Sequence, residues 1–257
     1  ETTLANGFLA GDQADKEFYG ITGNYKAIKD QIIQAYILFD RNANGGVNTK
    51  SDLKRYIGLR GEGKITPVEG LSYIGEYINL GGDNGAAAKV DYKASLIYLN
   101  AAYEVKDMNS LKILVDYLQT TGNKVSNDSE DFQLPSVAGV VCLEGNINFD
   151  FAMDAYKLAT AKSGVSTALS LSDLKALGIG ASIKPFDKLT TSAKWSSLKK
   201  KVSGDKIGSN LDLMAKYDLG KNYYICGGYS MFKPDSALGG LGTDKTEVLA
   251  AELRVNF

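Results

Sequence analysis

The chain has 257 residues, and 29 Lys and Arg against 30 Asp and Glu leave a net charge of −1, with no bulk attraction to nucleic acid. It contains no His, the commonest general base and metal ligand, and no run approaches the ~18 consecutive apolar residues of a transmembrane helix. Its 28 Gly and 15 Tyr, beside only 4 Pro and 1 Trp, suit long paired strands better than a helical enzyme.

Residues 16–26 alternate Tyr19, Ile21, Gly23 and Tyr25 against Phe18, Gly20, Thr22 and Asn24, the period of two of a β-strand. A tight connection at 27–30 leads to a strand at 31–39, with Ile33, Ala35, Ile37 and Phe39 on one face. Asp40 to Lys50 is polar and rich in turn formers. The next strand, about 51–64, sets Ile57 and Leu59 outward against Arg60, Glu62 and Lys64, and a turn at 65–69 returns the chain through 70–80. After a glycine-rich loop at 81–88, residues 90–105 form a long strand with an expected bulge, because Tyr92, Ala94 and Leu96 are out of phase with Ile97, Leu99, Ala101 and Tyr103. A turn at 106–109 precedes Leu111, Ile113, Val115 and Tyr117, which alternate with Lys112, Leu114 and Asp116. The longest loop is expected at 119–136.

Strands are expected at 137–144 and 147–154, joined by Gly145-Asn146, and 155–172 is irregular, part of it readable as helix. Alternation resumes with Leu177, Ile179, Ala181 and Ile183, then a turn at 184–188, then Leu189, Thr191, Ala193 and Trp195 against Lys194. Residues 199–209 read as a loop. Leu211, Leu213, Ala215 and Tyr217 face away from Asp212, Met214, Lys216 and Asp218, and a turn at 220–222 leads into 223–232. A loop at 233–246 precedes a terminal strand in which Leu249, Ala251, Leu253, Val255 and Phe257 oppose Glu252, Arg254 and Asn256.

Short turns and long polar loops thus alternate along the chain, the signature of an antiparallel up-and-down β-barrel crossing an outer membrane, with brief periplasmic turns and longer outer loops. A soluble sandwich has no reason to sort its loops in this way. From residue 16 onward there are thirteen expected strands. A closed single-chain barrel needs an even number, so either residues 2–10 add a fourteenth or the chain is the C-terminal part of a larger barrel. The start at Glu1, with neither Met nor a signal peptide, reads as a mature form or a fragment. The expectation is one barrel domain spanning residues 1–257.

Several stretches resemble the alginate-export-type outer-membrane porins: Glu17-Phe-Tyr-Gly-Ile-Thr-Gly-Asn-Tyr, Tyr56-Ile-Gly-Leu-Arg-Gly-Glu-Gly-Lys, Leu71-Ser-Tyr-Ile-Gly-Glu-Tyr, Asn210 to Asn222, Gly227 to Pro234 and the Phe257 terminus. The resemblance implies a Gram-negative outer-membrane barrel of 16–18 strands, and Phe257 as a recognition end for the assembly machinery. Alginate exporters line their lumen densely with arginine. Here the expected pore-lining residues mix signs: Arg60, Lys64, Lys194, Lys216 and Arg254 with Glu62, Glu76, Asp116, Asp212 and Glu252.

Such wall charges set solute selectivity, or simply neutralise one another and brace the wall. Tyr19, Tyr25, Tyr73, Tyr103, Tyr117, Tyr217 and Tyr223 are expected as interface girdles. Lys199-Lys200-Lys201 falls in an expected outer loop, solvated or against lipopolysaccharide phosphates. Asp40, Asn42 and Asn44 lack the acidic density of a calcium loop, and the Gly178–Gly180 and Gly227-Gly228 glycines belong to strands, not phosphate cradles. Cys142 and Cys226 have no ligand spacing and read as unpaired inward thiols.

The reading is a channel for diffusion of small hydrophilic solutes or charged saccharides, with the 119–136 loop folding inward. The alternative is a plugged barrel acting as a scaffold or sleeve for a partner protein. No catalysis, cofactor or metal is expected. The expected partners are outer-membrane lipid, lipopolysaccharide, the solutes and further copies of the chain.

Overall fold

The computed structural model describes residues 14–44, 52–83, 91–105, 107–123, 130–132, 172–220, 223–235 and 244–255. These hold eleven strands: β1 (Ala14–Tyr25), β2 (Gln31–Asn44), β3 (Asp52–Lys64), β4 (Leu71–Asp83), β5 (Ala94–Val105), β6 (Leu111–Thr120), β7 (Leu174–Phe186), β8 (Leu189–Lys200), β9 (Lys206–Asp218), β10 (Tyr223–Pro234) and β11 (Thr246–Val255). They form one sheet in sequence order, each strand antiparallel to the next. Among the described residues β1 and β11 each pair with one neighbour. The strands expected at 2–10, 137–144 and 147–154 lie outside the described residues, as do Cys142 and Phe257.

The alternation read from the sequence sorts the two faces. Even-numbered side chains such as Tyr56, Arg60, Glu76, Ile78 and Leu114 are buried, while odd-numbered Ile57, Leu59, Tyr77, Leu99 and Ile113 are exposed. Register sums are even across every regular pairing, as in Arg60 with Glu76 and Asn100 with Asp116, so this parity runs unbroken from strand to strand.

The bulge expected in 90–105 is absent. Leu71 to Leu80 of β4 pair with Tyr103 to Ala94 of β5 without a slip. Ala94 and Leu96 are apolar because they belong to the buried face, whose long-connection end is a hydrophobic cluster. That cluster joins Tyr56, Ile78, Leu80, Leu96, Leu118, Leu174, Leu198, Ile207 and Phe232, together with Phe132 from the β6–β7 connection. Register shifts occur instead between Ile183 and Phe186 and between Leu198 and Lys199.

Turn chemistry explains the tight ends. Asn109 and Ser110 both have positive φ, 53° and 54°, and Leu111 N donates to Met108 O at 3.0 Å, the type I′ geometry whose twist suits a hairpin. Gly70, at φ 86°, occupies the third position of a turn closed by Leu71 N donating to Val68 O at 3.1 Å, where a side chain would be strained. The 184–188 turn narrows to Asp187-Lys188, since β7 continues to Phe186. The loop expected at 199–209 shrinks to 201–205, because Lys199 and Lys200 end β8 and Lys206 opens β9. Lys199, Lys200 and Lys206 are thus strand residues at a rim. Likewise β2 continues through Asn44, so the polar stretch from Asp40 begins as strand.

A buried charged belt as candidate functional site

Beneath the apolar cluster the buried face turns polar. Arg60, Glu76, Asn100, Asp116, Lys194, Ser196, Asn210, Asp212 and Ser230 are all buried. On β3 and β4 the Arg60 guanidinium reaches Glu62 at 2.7 Å and Glu76 at 3.6 Å, and the Tyr36 hydroxyl donates to Glu76 at 2.7 Å. On β5 and β6, Asp116 accepts from Asn100 at 2.5 Å and from Tyr98 at 3.2 Å, and it pairs with the Lys194 ammonium of β8. On β9 and β10, the Ser230 hydroxyl donates to Asp212 at 2.7 Å. Asp212 is also the direct register partner of Lys194.

Two glycines make the longest of these reaches available. Tyr36 on β2 and Glu76 on β4 are separated by β3, and the Tyr36 ring lies over Gly58 of that strand. Lys194 on β8 and Asp116 on β6 are separated by β7, and a Cβ built at Gly178 would lie 2.7 Å from Lys194 Cε. In both cases the absence of a side chain on the intervening strand lets a neighbour cross it. Gly178, read from the sequence as a strand residue, is therefore a spacer within the belt, and Gly58 is another.

The other expected wall residues sit apart. Lys216 is half exposed, 3.2 Å from Asp218 and 4.3 Å from the centre of the Tyr224 ring. Lys64 and Glu252 are exposed, near the short-turn ends of β3 and β11. Arg254 is in register with Tyr224, and its side chain is not among those described. Cys226 is a free thiol on the same face, half-buried. Among the described residues no cluster of three or more Cys, Asp or Glu could hold a metal ion.

Tyr36, Asn210 and Ser230 occupied the polar phase of their strands, so alternation could have found them. Tyr98 alternates with Ile97 and Leu99 and could have been found in the same way. Nothing in the sequence marked Phe132, which is fully buried and meets Tyr56 edge-on with ring centres 6.5 Å apart. It lies within the 119–136 segment expected to fold inward, of which residues 121–123 and 130–132 are described beyond β6. Asn123 and Asp131 tie that segment together, with Asn123 Nδ2 donating to Asp131 at 2.8 Å.

The opposite face is apolar and open. Ile57, Leu59, Leu99, Ile179, Trp195, Leu213 and Ile225 are exposed on it, and Leu249 is 85% exposed. Soluble monomers rarely present apolar surface on this scale. All seven expected girdle tyrosines are on this face, and Tyr25, Tyr73, Tyr103, Tyr217 and Tyr223 gather toward its short-turn end. Among the described residues no helix is long and apolar enough to cross a membrane, an observation that says nothing of spanning strands.

No family model matches the chain, and no curated protein matches it either. Solved structures similar to it include the outer membrane phospholipase A from Escherichia coli, at 13% identity over 95% of this chain and 80% of that one, with a TM-score of 0.39. OccK10 (OpdN) from Pseudomonas aeruginosa shares 11% identity over 98% of this chain and 77% of its own, with a TM-score of 0.48. OccK11 (OpdR) of the same organism shares 10% identity over 98% and 74%, with a TM-score of 0.47. All three are outer-membrane β-barrel proteins, and they do not confirm the alginate-export resemblance. One expectation is corrected here: the chain was read as no enzyme, yet a protein named as a phospholipase stands among the similar structures. The 257 residues contain no His and so hold no His-based triad.

Proposed function

We propose that the chain is an outer-membrane β-barrel channel that passes small hydrophilic solutes through a narrow, charge-lined lumen. One observation carries this reading: the sheet is apolar on its exposed face and charged on its buried face, the reverse of a soluble sheet. An environment of lipid outside and polar groups inside accounts for both faces at once. In this reading the eleven strands, with further strands from the rest of the chain, close into a single barrel.

The pore-lining group is Arg60, Glu62, Glu76, Asp116, Lys194 and Asp212, in which four carboxyl groups face two cations. Such a ring favours cations over anions. Passage of a polyuronate finds little support in a wall where Arg60 stands between Glu62 and Glu76. Phe132, Tyr56 and the apolar cluster narrow the lumen at its long-connection end. That same cluster favours a second reading, a plugged barrel serving as a scaffold for a partner.

Planar-bilayer recording separates the two. The channel reading expects small, cation-selective unitary currents from the folded chain, and larger currents once Phe132→Gly opens the constriction. Silence from both proteins, with folding verified, would defeat the channel reading and leave the scaffold.

A further inference from the structure

On the exposed face, three lysines from three adjacent strands stand side by side. Lys175 of β7 is the direct register partner of Lys199 of β8, and Lys199 is that of Lys206 of β9. All three are exposed. Opposed residues in a sheet have Cβ atoms about 5 Å apart, and like charges at that spacing repel. Among the described residues no carboxylate lies within ion-pair distance of any of them; Lys175 has only the Tyr117 ring, 5.8 Å from its ammonium. Lys201, in the adjoining turn, adds a fourth positive charge nearby.

Their height on the wall is specific. Leu177 is the next exposed-face residue below Lys175, and Ile179, Trp195 and Leu213 continue the apolar band. The lysines therefore sit where the apolar band ends, at the long-connection rim. In an outer-membrane barrel that rim faces outward, level with lipid headgroups. A row of ammoniums with no ion pair among the described residues, at this height, is complementary to phosphate.

We propose that Lys175, Lys199 and Lys206 form a docking site for the phosphate groups of a phosphorylated glycolipid of the outer leaflet. The site rests on the outer-membrane reading above and names a partner that the channel itself does not require. The anion neutralises the like-charge row, so the site binds lipid and relieves the repulsion in one step.

The test uses the full chain folded in neutral detergent micelles, titrated with lipopolysaccharide, with the same lipid stripped of phosphate, and with inorganic phosphate. The variant K175Q/K199Q/K206Q is compared with K26Q/K29Q/K188Q, which removes three lysines from the short turns. At roughly one unit of surface attraction per lysine, the rim variant should bind intact lipopolysaccharide about a hundredfold more weakly, and the control should bind unchanged. Both should keep the heat-sensitive gel migration of the folded barrel. Equal weakening in rim and control variants would overturn the proposal, as would unchanged binding by the rim variant. It would also fall if the dephosphorylated lipid, or inorganic phosphate alone, bound as tightly as the intact lipid. Failure of the unmodified chain to insert into phosphatidylcholine vesicles would instead bring down the membrane reading, and this site with it.

Discussion

Replacing Lys194 by Met tests the belt most directly. The substitution keeps much of the side-chain volume but removes the ammonium that crosses Gly178 to Asp116, whose carboxyl is fully buried. Removing one partner of a buried pair typically costs about 3–5 kcal/mol, because the remaining charge is left in a poorly solvating site. Asp116 retains Asn100 at 2.5 Å and Tyr98 at 3.2 Å, which argues for the lower end, about 3 kcal/mol. That is roughly a 150-fold shift in the folding equilibrium. Urea unfolding from lipid vesicles, followed by the fluorescence of the chain's single Trp, measures it. That residue, Trp195, adjoins Lys194 and faces the other way, so its fluorescence reports on β8 without touching the pair. Adding Asp116→Asn to K194M should recover part of the loss, with a coupling of about 1–3 kcal/mol. A loss below about 1 kcal/mol, or strict additivity of the two substitutions, would show that the pair contributes nothing to the wall.

Other outcomes follow from the same geometry. Gly178→Val brings a side chain against Lys194 Cε and Ser196 Oγ, 2.7 and 3.2 Å from a Cβ at that position, and should lower the urea midpoint. Gly23→Ala, with open space around its Cβ, should leave that midpoint nearly unchanged. Leu59→Arg places a charge in the middle of the exposed apolar face and should cost about 2–4 kcal/mol in a bilayer, and an equal stability in aqueous buffer without lipid would refute the membrane reading. The Tyr92 phenol, between β4 and β5, is held above its ordinary range by burial first and then by Asp52, which accepts its hydrogen bond at 3.1 Å. The folded chain keeps that proton while the unfolded chain releases it near pH ~10. Its contribution to stability is therefore present below that pH and lost as pH rises above it, and Asp52→Asn should move the spectrophotometric titration of Tyr92 back toward the ordinary value.

The strand pattern was legible because a residue in a sheet can face only two ways. Ile57 and Leu59 against Arg60 and Glu62 already defined the two faces of β3, and the unbroken register carries that choice across to Lys194 and Asp212. Alternation failed where the buried face is itself apolar. Ala94 and Leu96 looked out of phase because apolar residues were expected on one face only, whereas the long-connection end of the buried face carries a hydrophobic cluster. The loop expected at 199–209 was too long, since Lys199 and Lys206 are paired strand residues at a rim.

The chain's own pattern determined the local conformation, the parity of each strand and the side of the sheet on which each charge would lie, since these depend only on the period of two. Partnership across strands lay beyond it. That Lys194 meets Asp116 rather than a neighbour in sequence, and that Tyr36 meets Glu76, depends on register together with a glycine on the strand between them. The burial of Phe132 against Tyr56 depends on where a long connection returns to the sheet. Contacts between residues distant along the chain are set by packing in three dimensions, and only the tertiary structure decided them.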